Sequence, residues 1–177
     1  HAYERGIRYF DMADMYGAHY YMKEAMQAAA MSRSELTLLT KSTASSASGI
    51  EADFERFRKE LDTDYLDIAL LHCMRAADWT KSMAPCMEVL SEARERGEIR
   101  AVGVSCHSLD ALEAAAENPW VEVLLARINP FGTRMDAPPE RVVSVLKRAH
   151  ESGKGVLGMK ILGEGSKAEA MAESLDF

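Results

Sequence analysis

Short apolar runs alternate with amphipathic segments along the whole chain, and this alternation most narrows the folds open to it. The runs are Ile7–Ala13, Leu36–Ser42, Tyr65–Cys73, Ile99–Ser105, Val121–Asn129 and Gly155–Leu162. Between them lie helical patterns at 19–31, 50–61, 83–97, 108–117 and 139–152, with a sixth starting near Ser166. Strand-then-helix repetition at roughly 30 residues per unit predicts βαβ crossovers and a parallel sheet. Gly97 closes one helix, Asn118-Pro119 the next, Pro138-Pro139 opens another and Gly153 ends it.

Six such units suit either an open doubly wound sheet or a closed barrel. A dinucleotide-binding open sheet puts Gly-x-Gly-x-x-Gly after its first strand, whereas this chain has Asp11-Met-Ala-Asp-Met-Tyr-Gly17 there. Its one glycine cluster, Gly163-Glu164-Gly165, is too short for that fingerprint and follows the last run. A (β/α)8 TIM barrel typically needs about 250 residues. The 177 residues therefore predict an α/β chain with about six of the eight βα units, forming one partial barrel domain over 1–177.

Composition narrows the function classes. With 28 Asp+Glu against 21 Lys+Arg and no basic run, nothing points to nucleic acid. No apolar run approaches the roughly 20 residues that span a bilayer. Cys73, Cys86 and Cys106 are odd in number and far apart, so a reducing cytoplasm is expected rather than a disulfide framework. The chain opens on His1 and displays no signal peptide. Oligomeric state is not legible.

Barrel active sites lie at the C-terminal ends of the strands. The first three runs deliver Asp11, Lys41 and His72 there, with Tyr16 in the loop that Gly17 can turn. Strand alternation places Ile7, Tyr9 and Asp11 on one face, Thr37, Leu39 and Lys41 on another, and Leu66, Ile68, Leu70 and His72 on a third. If those faces point inward, the groups meet at one rim. A lysine ammonium near a phenol favours the phenolate, and a carboxylate keeps that lysine charged. A neutral histidine can hold a carbonyl oxygen, so the set can polarise C=O and protonate the alkoxide as hydride arrives. None of the four is a hydride source, so a nicotinamide cofactor is implied.

Tyr9-Phe-Asp-Met-Ala-Asp-Met-Tyr-Gly17 resembles the aldo-keto reductase signature, in which the Asp precedes the Tyr by five positions. Leu38-Leu-Thr-Lys-Ser42 is similar to that family's lysine strand, and Leu66-Asp-Ile-Ala-Leu-Leu-His72 to its histidine strand. Ile99-Arg-Ala-Val-Gly-Val-Ser105 is similar to its fifth strand. The resemblance runs from strand two to strand seven of the barrel. It implies an NADPH-dependent (NADH possible) reductase of small aldehydes or ketones. Tyr16 is then the proton donor, Asp11 and Lys41 its tuners, and His72 the substrate orienter.

On the cofactor side the resemblance implies Ser105 at the nicotinamide carboxamide, followed by Cys106 where the family has Asn. The family's glutamine falls at Leu125, and its stacking tyrosine at Met159. Arg127 and Lys160 are candidate substitutes for the lost amide contacts. Arg127-Ile-Asn-Pro-Phe-Gly132 and Gly158-Met-Lys-Ile-Leu-Gly163 resemble a divergent, mostly bacterial branch, some of whose members carry iron–sulfur-type modules. The competing readings are a non-catalytic nucleotide-binding barrel acting as sensor or regulatory subunit, and an aldolase with Lys41 as Schiff base. His72-Cys73 and Cys106-His107 invite a zinc reading, but strand neighbours point to opposite sides, so no metal is expected. Asp14 is expected to satisfy loop amides, and the 11 methionines to fill core.

Overall fold

The computed structural model describes residues 1–177. Six strands appear in chain order: β1 (Tyr9–Asp11), β2 (Thr37–Ser42), β3 (Leu66–Met74), β4 (Ile99–Cys106), β5 (Val123–Arg127) and β6 (Gly155–Met159). They hydrogen-bond side by side in that same order, and the registered pairs β1–β2, β2–β3 and β5–β6 are parallel. The helices are α1 (His19–Ala28), α2 (Ala47–Leu61), α3 (Trp79–Ser82), α4 (Ala84–Glu95), α5 (Leu109–Glu117), α6 (Pro139–Glu151) and α7 (Met171–Asp176).

The chain divides into two compact units, one of His1–His72 with Met83–Gly103, the other of Cys73–Ser82 with Val104–Phe177. In the first, β2 is buried over Leu38–Ser42, the near-continuous burial of a parallel strand covered on both faces. Helix α2 buries Ile50, Phe54, Phe57 and Leu61, one apolar stripe at helical spacing. It starts three residues earlier than its apolar pattern because Ser46 caps it, accepting the Gly49 N–H at 3.2 Å. It stops at Asp62, whose left-handed φ of 57° lets its N–H reach the Arg58 and Lys59 carbonyls.

In the second unit Ser108 caps α5 in the same way, and Pro139 opens α6, which buries Val142, Val145, Leu146 and Ala149. The short α3 has too few residues to show periodicity. It is held by Trp79, 2% exposed, whose indole donates to the Ala111 carbonyl at 3.2 Å. Strands β5 and β6 are shorter than their apolar runs. The buried Asn129 side chain accepts the Phe131 and Thr133 N–H groups and donates to the Thr133 and Lys160 carbonyls. It thereby does the work of a ladder where Pro130 cannot donate. Lys160 turns the chain after β6 with φ of 61°. No helix is long and apolar enough to cross a membrane.

Phe57 is fully buried, with its ring centre 4.6 Å from that of His19 and 5.2 Å from that of Phe54. Phe57→Ala is expected to cost about 3–5 kcal/mol in urea unfolding of the full-length protein; a loss under about 1 kcal/mol would contradict this packing.

Candidate active site

The strand register sets three polar side chains on one face. Asp11 lies level with Leu39 of β2, and Lys41 is two residues further along. Lys41 lies level with Leu70 of β3, and His72 is again two further along. A two-residue step returns the side chain to the same face, so each group stands one pleat beyond the last. Tyr16 follows β1 in a 3-10 turn, Asp14–Tyr16, closed by Gly17 at φ of 61°.

The four groups converge within the first unit. Lys41 donates from Nζ to Asp11 Oδ1 in an ion pair. The lysine side chain is 1% exposed, while Asp11 keeps 36% exposure. The Lys41 ammonium is 5.3 Å from the Tyr16 ring centre, and the Tyr16 and His72 rings meet edge to face at 6.1 Å. Tyr16 remains more than half exposed. Burial, reinforced by the Lys41 charge and opposed by Asp11, pushes the His72 imidazole down to about 4. It is therefore neutral at neutral pH and can hydrogen-bond an oxygen without adding charge.

Asp14 does not cap loop amides as the sequence suggested. It binds Arg56 of α2 at 2.9 Å, and the same guanidinium takes Asp53 at 2.8 Å and Glu60 at 3.0 Å. The bond to Asp14, with help from the other two carboxylates, raises the Arg56 pKa further and keeps it charged. Asp53 also accepts from the Ser42 hydroxyl, and Glu60 contacts His19 Nδ1 at 2.8 Å. The other ring nitrogen of His19 meets the Thr40 hydroxyl at 2.7 Å. Thr40 and Ser42 flank Lys41, so alternation sends them to the opposite face of β2. A partly buried polar network thus ties the turn bearing Tyr16 to α2. The methionine reading also needs correcting: Met12, Met22 and Met83 fill core, but Met15, beside Tyr16, is 67% exposed.

In the second unit, the fully buried Ser105 hydroxyl accepts the Cys73 N–H at 2.9 Å. Cys106 is 1% exposed and its thiol donates to the Ala111 carbonyl at 3.5 Å. Burial pushes that thiol's pKa up, so Cys106 remains a neutral group spent on the backbone of α5. Arg127 donates to Asp136 at 3.0 Å and to His107 Nδ1 at 2.6 Å, while its Nε is buried without a hydrogen-bond partner. Met159 lies level with Arg127 in the β5–β6 register and is half-buried. Leu125 is buried. Lys160 pairs with Glu164 at 2.8 Å. The Arg56 network and Asp136 escaped the sequence reading; a helix carrying Asp53, Arg56 and Glu60 looks like any solvated charged face.

The sequence profile described as Aldo/keto reductase family matches residues 1–177, and the chain belongs to that family. An aldo-keto reductase of Mycolicibacterium paratuberculosis is 34% identical over 119 residues, 66% of this chain and 41% of that protein. A methylglyoxal reductase of Salmonella typhi is 29% identical over 116 residues, 64% of this chain and 43% of that protein. The matches thus take in less than half the length of these curated relatives. The solved Bombyx mori aldo-keto reductase in complex with NADP superposes with a TM-score of 0.71 at 22% identity, over 90% of this chain and 54% of that one. The fold is that of the (β/α)8 TIM barrel, of which this chain holds six βα units.

Arg56→Ala is expected to free the Asp14–Tyr16 turn, read as faster amide hydrogen exchange at those residues in the full-length protein. Unchanged exchange there would contradict that tie. His72 makes a second prediction. Its folded-state value, about 4, lies below the roughly 6.5 of an unfolded histidine. The unfolded chain therefore binds its proton first, and His72's contribution to stability is complete above about pH 6.5 and is lost as pH falls towards 4. Denaturation midpoints across that window are expected to fall less steeply in His72→Gln; identical slopes would contradict the assignment.

Proposed function

We propose that the protein is an NAD(P)H-dependent reductase that converts small aldehydes or ketones to alcohols. The observation that carries this reading is the convergence of Asp11, Tyr16, Lys41 and His72 on one strand-end face. His72, neutral at working pH, orients the carbonyl oxygen. Tyr16, open to solvent on one side, gives that oxygen its proton. Lys41, charged through Asp11, favours the phenolate that Tyr16 leaves behind. The Arg56 network holds Tyr16's turn in place while the proton moves.

A bound nicotinamide cofactor supplies the hydride. The second unit has groups that fit its carboxamide: the unpartnered buried Arg127 Nε–H, and the Ser105 hydroxyl, which accepts from Cys73 and keeps its own proton to donate. Met159, level with Arg127, offers the ring an apolar surface. Cys106 is not retained, because its thiol is bonded to Ala111. The Bombyx mori structure is a complex with NADP, which is consistent with a nicotinamide cofactor, NADPH or NADH, for this fold. The Salmonella typhi methylglyoxal reductase supports a small carbonyl substrate. We read 1–177 as strands two to seven of one barrel domain. None of the three cysteines is joined in a disulfide, which suits a reducing cytoplasm.

Full-length protein given NADPH and a panel of aldehydes is expected to consume reduced cofactor. Tyr16→Phe is expected to lose about 10²–10⁴-fold in turnover, with cofactor affinity unchanged. Cofactor binding with no turnover on any carbonyl would replace this reading with that of a nucleotide sensor.

A further inference from the structure

The second unit also carries a chain of side chains that runs from Cys73 to Asp136 through Arg127, one of the cofactor candidates. Cys73 Sγ is 3.6 Å from His107 Nε2, His107 Nδ1 is 2.6 Å from Arg127 Nη2, and Arg127 Nη1 is 3.0 Å from Asp136. Arginine has only donors. At 2.6 Å it must therefore give a proton to His107 Nδ1, which fixes the ring as the neutral tautomer with its hydrogen on Nε2. That N–H points at the Cys73 sulfur. A ring held this way has no Nε2 lone pair, so it serves a thiolate as hydrogen-bond donor and does not serve a metal as ligand.

The electrostatics run the same way. The Arg127 charge stands behind a polarisable imidazole, and Asp136 anchors the guanidinium from the far side. Arg75, a second cation, also acts on Asp136. The Cys73 N–H is held by Ser105 Oγ at 2.9 Å, and the residue sits at φ of 66°. This left-handed kink breaks strand alternation at Cys73, so alternation does not by itself send its side chain away from that of His72. Cys73 is partly exposed, whereas Cys86 and Cys106 are buried.

We infer that Cys73 is an oxidant-sensitive thiol, stabilised as thiolate by the His107–Arg127–Asp136 relay and modified by hydroperoxides. The thiolate sulfur attacks one oxygen of hydrogen peroxide or an alkyl hydroperoxide; an S–O bond forms as the O–O bond breaks. Sulfur gives up two electrons, and the departing hydroxide or alkoxide takes a proton from water. Cys73 becomes a sulfenic acid and the peroxide becomes water or an alcohol. The site shares Arg127 and Ser105 with the cofactor reading, but uses Arg127 through Nη1 and Nη2 rather than Nε, and its test needs neither cofactor nor carbonyl turnover.

The test is the pH dependence of iodoacetamide labelling of the full-length protein, read by peptide mass at each of the three cysteines. Cys73 is expected to label first, with a midpoint at least about one pH unit below the usual thiol value near 8.5. His107→Leu is expected to move that midpoint up by about one unit. Hydrogen peroxide followed by dimedone is expected to tag Cys73 alone. Two results would overturn the inference. One is wild-type Cys73 labelling with the midpoint of a free thiol, which needs no variant and so survives a folding defect in His107→Leu. The other is a dimedone tag distributed equally over the three cysteines.

Discussion

The site depends on a lysine ammonium kept inside the protein at the end of β2. An unpaired charge there would be expelled or neutralised. Asp11, arriving from the adjacent strand, accepts its hydrogen bond and makes the buried charge tolerable. Once that pair is in place, the phenol of Tyr16 and the imidazole of His72 both feel a fixed positive charge. The same charge helps keep His72 neutral. The Lys41 charge thus works against protonation of the imidazole, and Asp11 opposes it.

The parallel sheet lets one strand end serve two purposes. Lys41 points to the rim, while Thr40 and Ser42 on either side point to the helices and join the His19, Glu60, Asp53 and Arg56 network. Its buried members, His19, Thr40 and Ser42, are each hydrogen-bonded within it, so burying them costs little. Its last link, Asp14, belongs to the turn that carries Tyr16. The turn that carries the exposed phenol is thus tied to groups on the helix side of β2.

The Asp11, Tyr16, Lys41 and His72 cluster was legible because strand alternation and strand-end position are one-dimensional properties. Counting in twos along three apolar runs is enough to put the groups on one side. The Arg56 network was not legible, since charges three and four apart on a helix read equally well as solvated surface. The helix α3 rests on one buried tryptophan and has no period to detect. The end of β5 is decided by the bonds of Asn129, which depend on a loop returning to it. Alternation failed at Cys73, where a left-handed φ kinks the strand. It also could not show that Cys106 would spend its thiol on α5.

The claim at the centre is that Asp11 acts through Lys41. A double-mutant cycle on carbonyl-reduction rates tests it directly, using Asp11→Asn, Lys41→Met and the pair in the full-length protein. If Asp11 serves to hold and charge the lysine, Asp11→Asn slows the wild-type enzyme strongly and changes the rate of the Lys41→Met enzyme little. Equal rate losses from Asp11→Asn in both backgrounds would mean that the carboxylate acts independently of the lysine, and would contradict the arrangement described for this site.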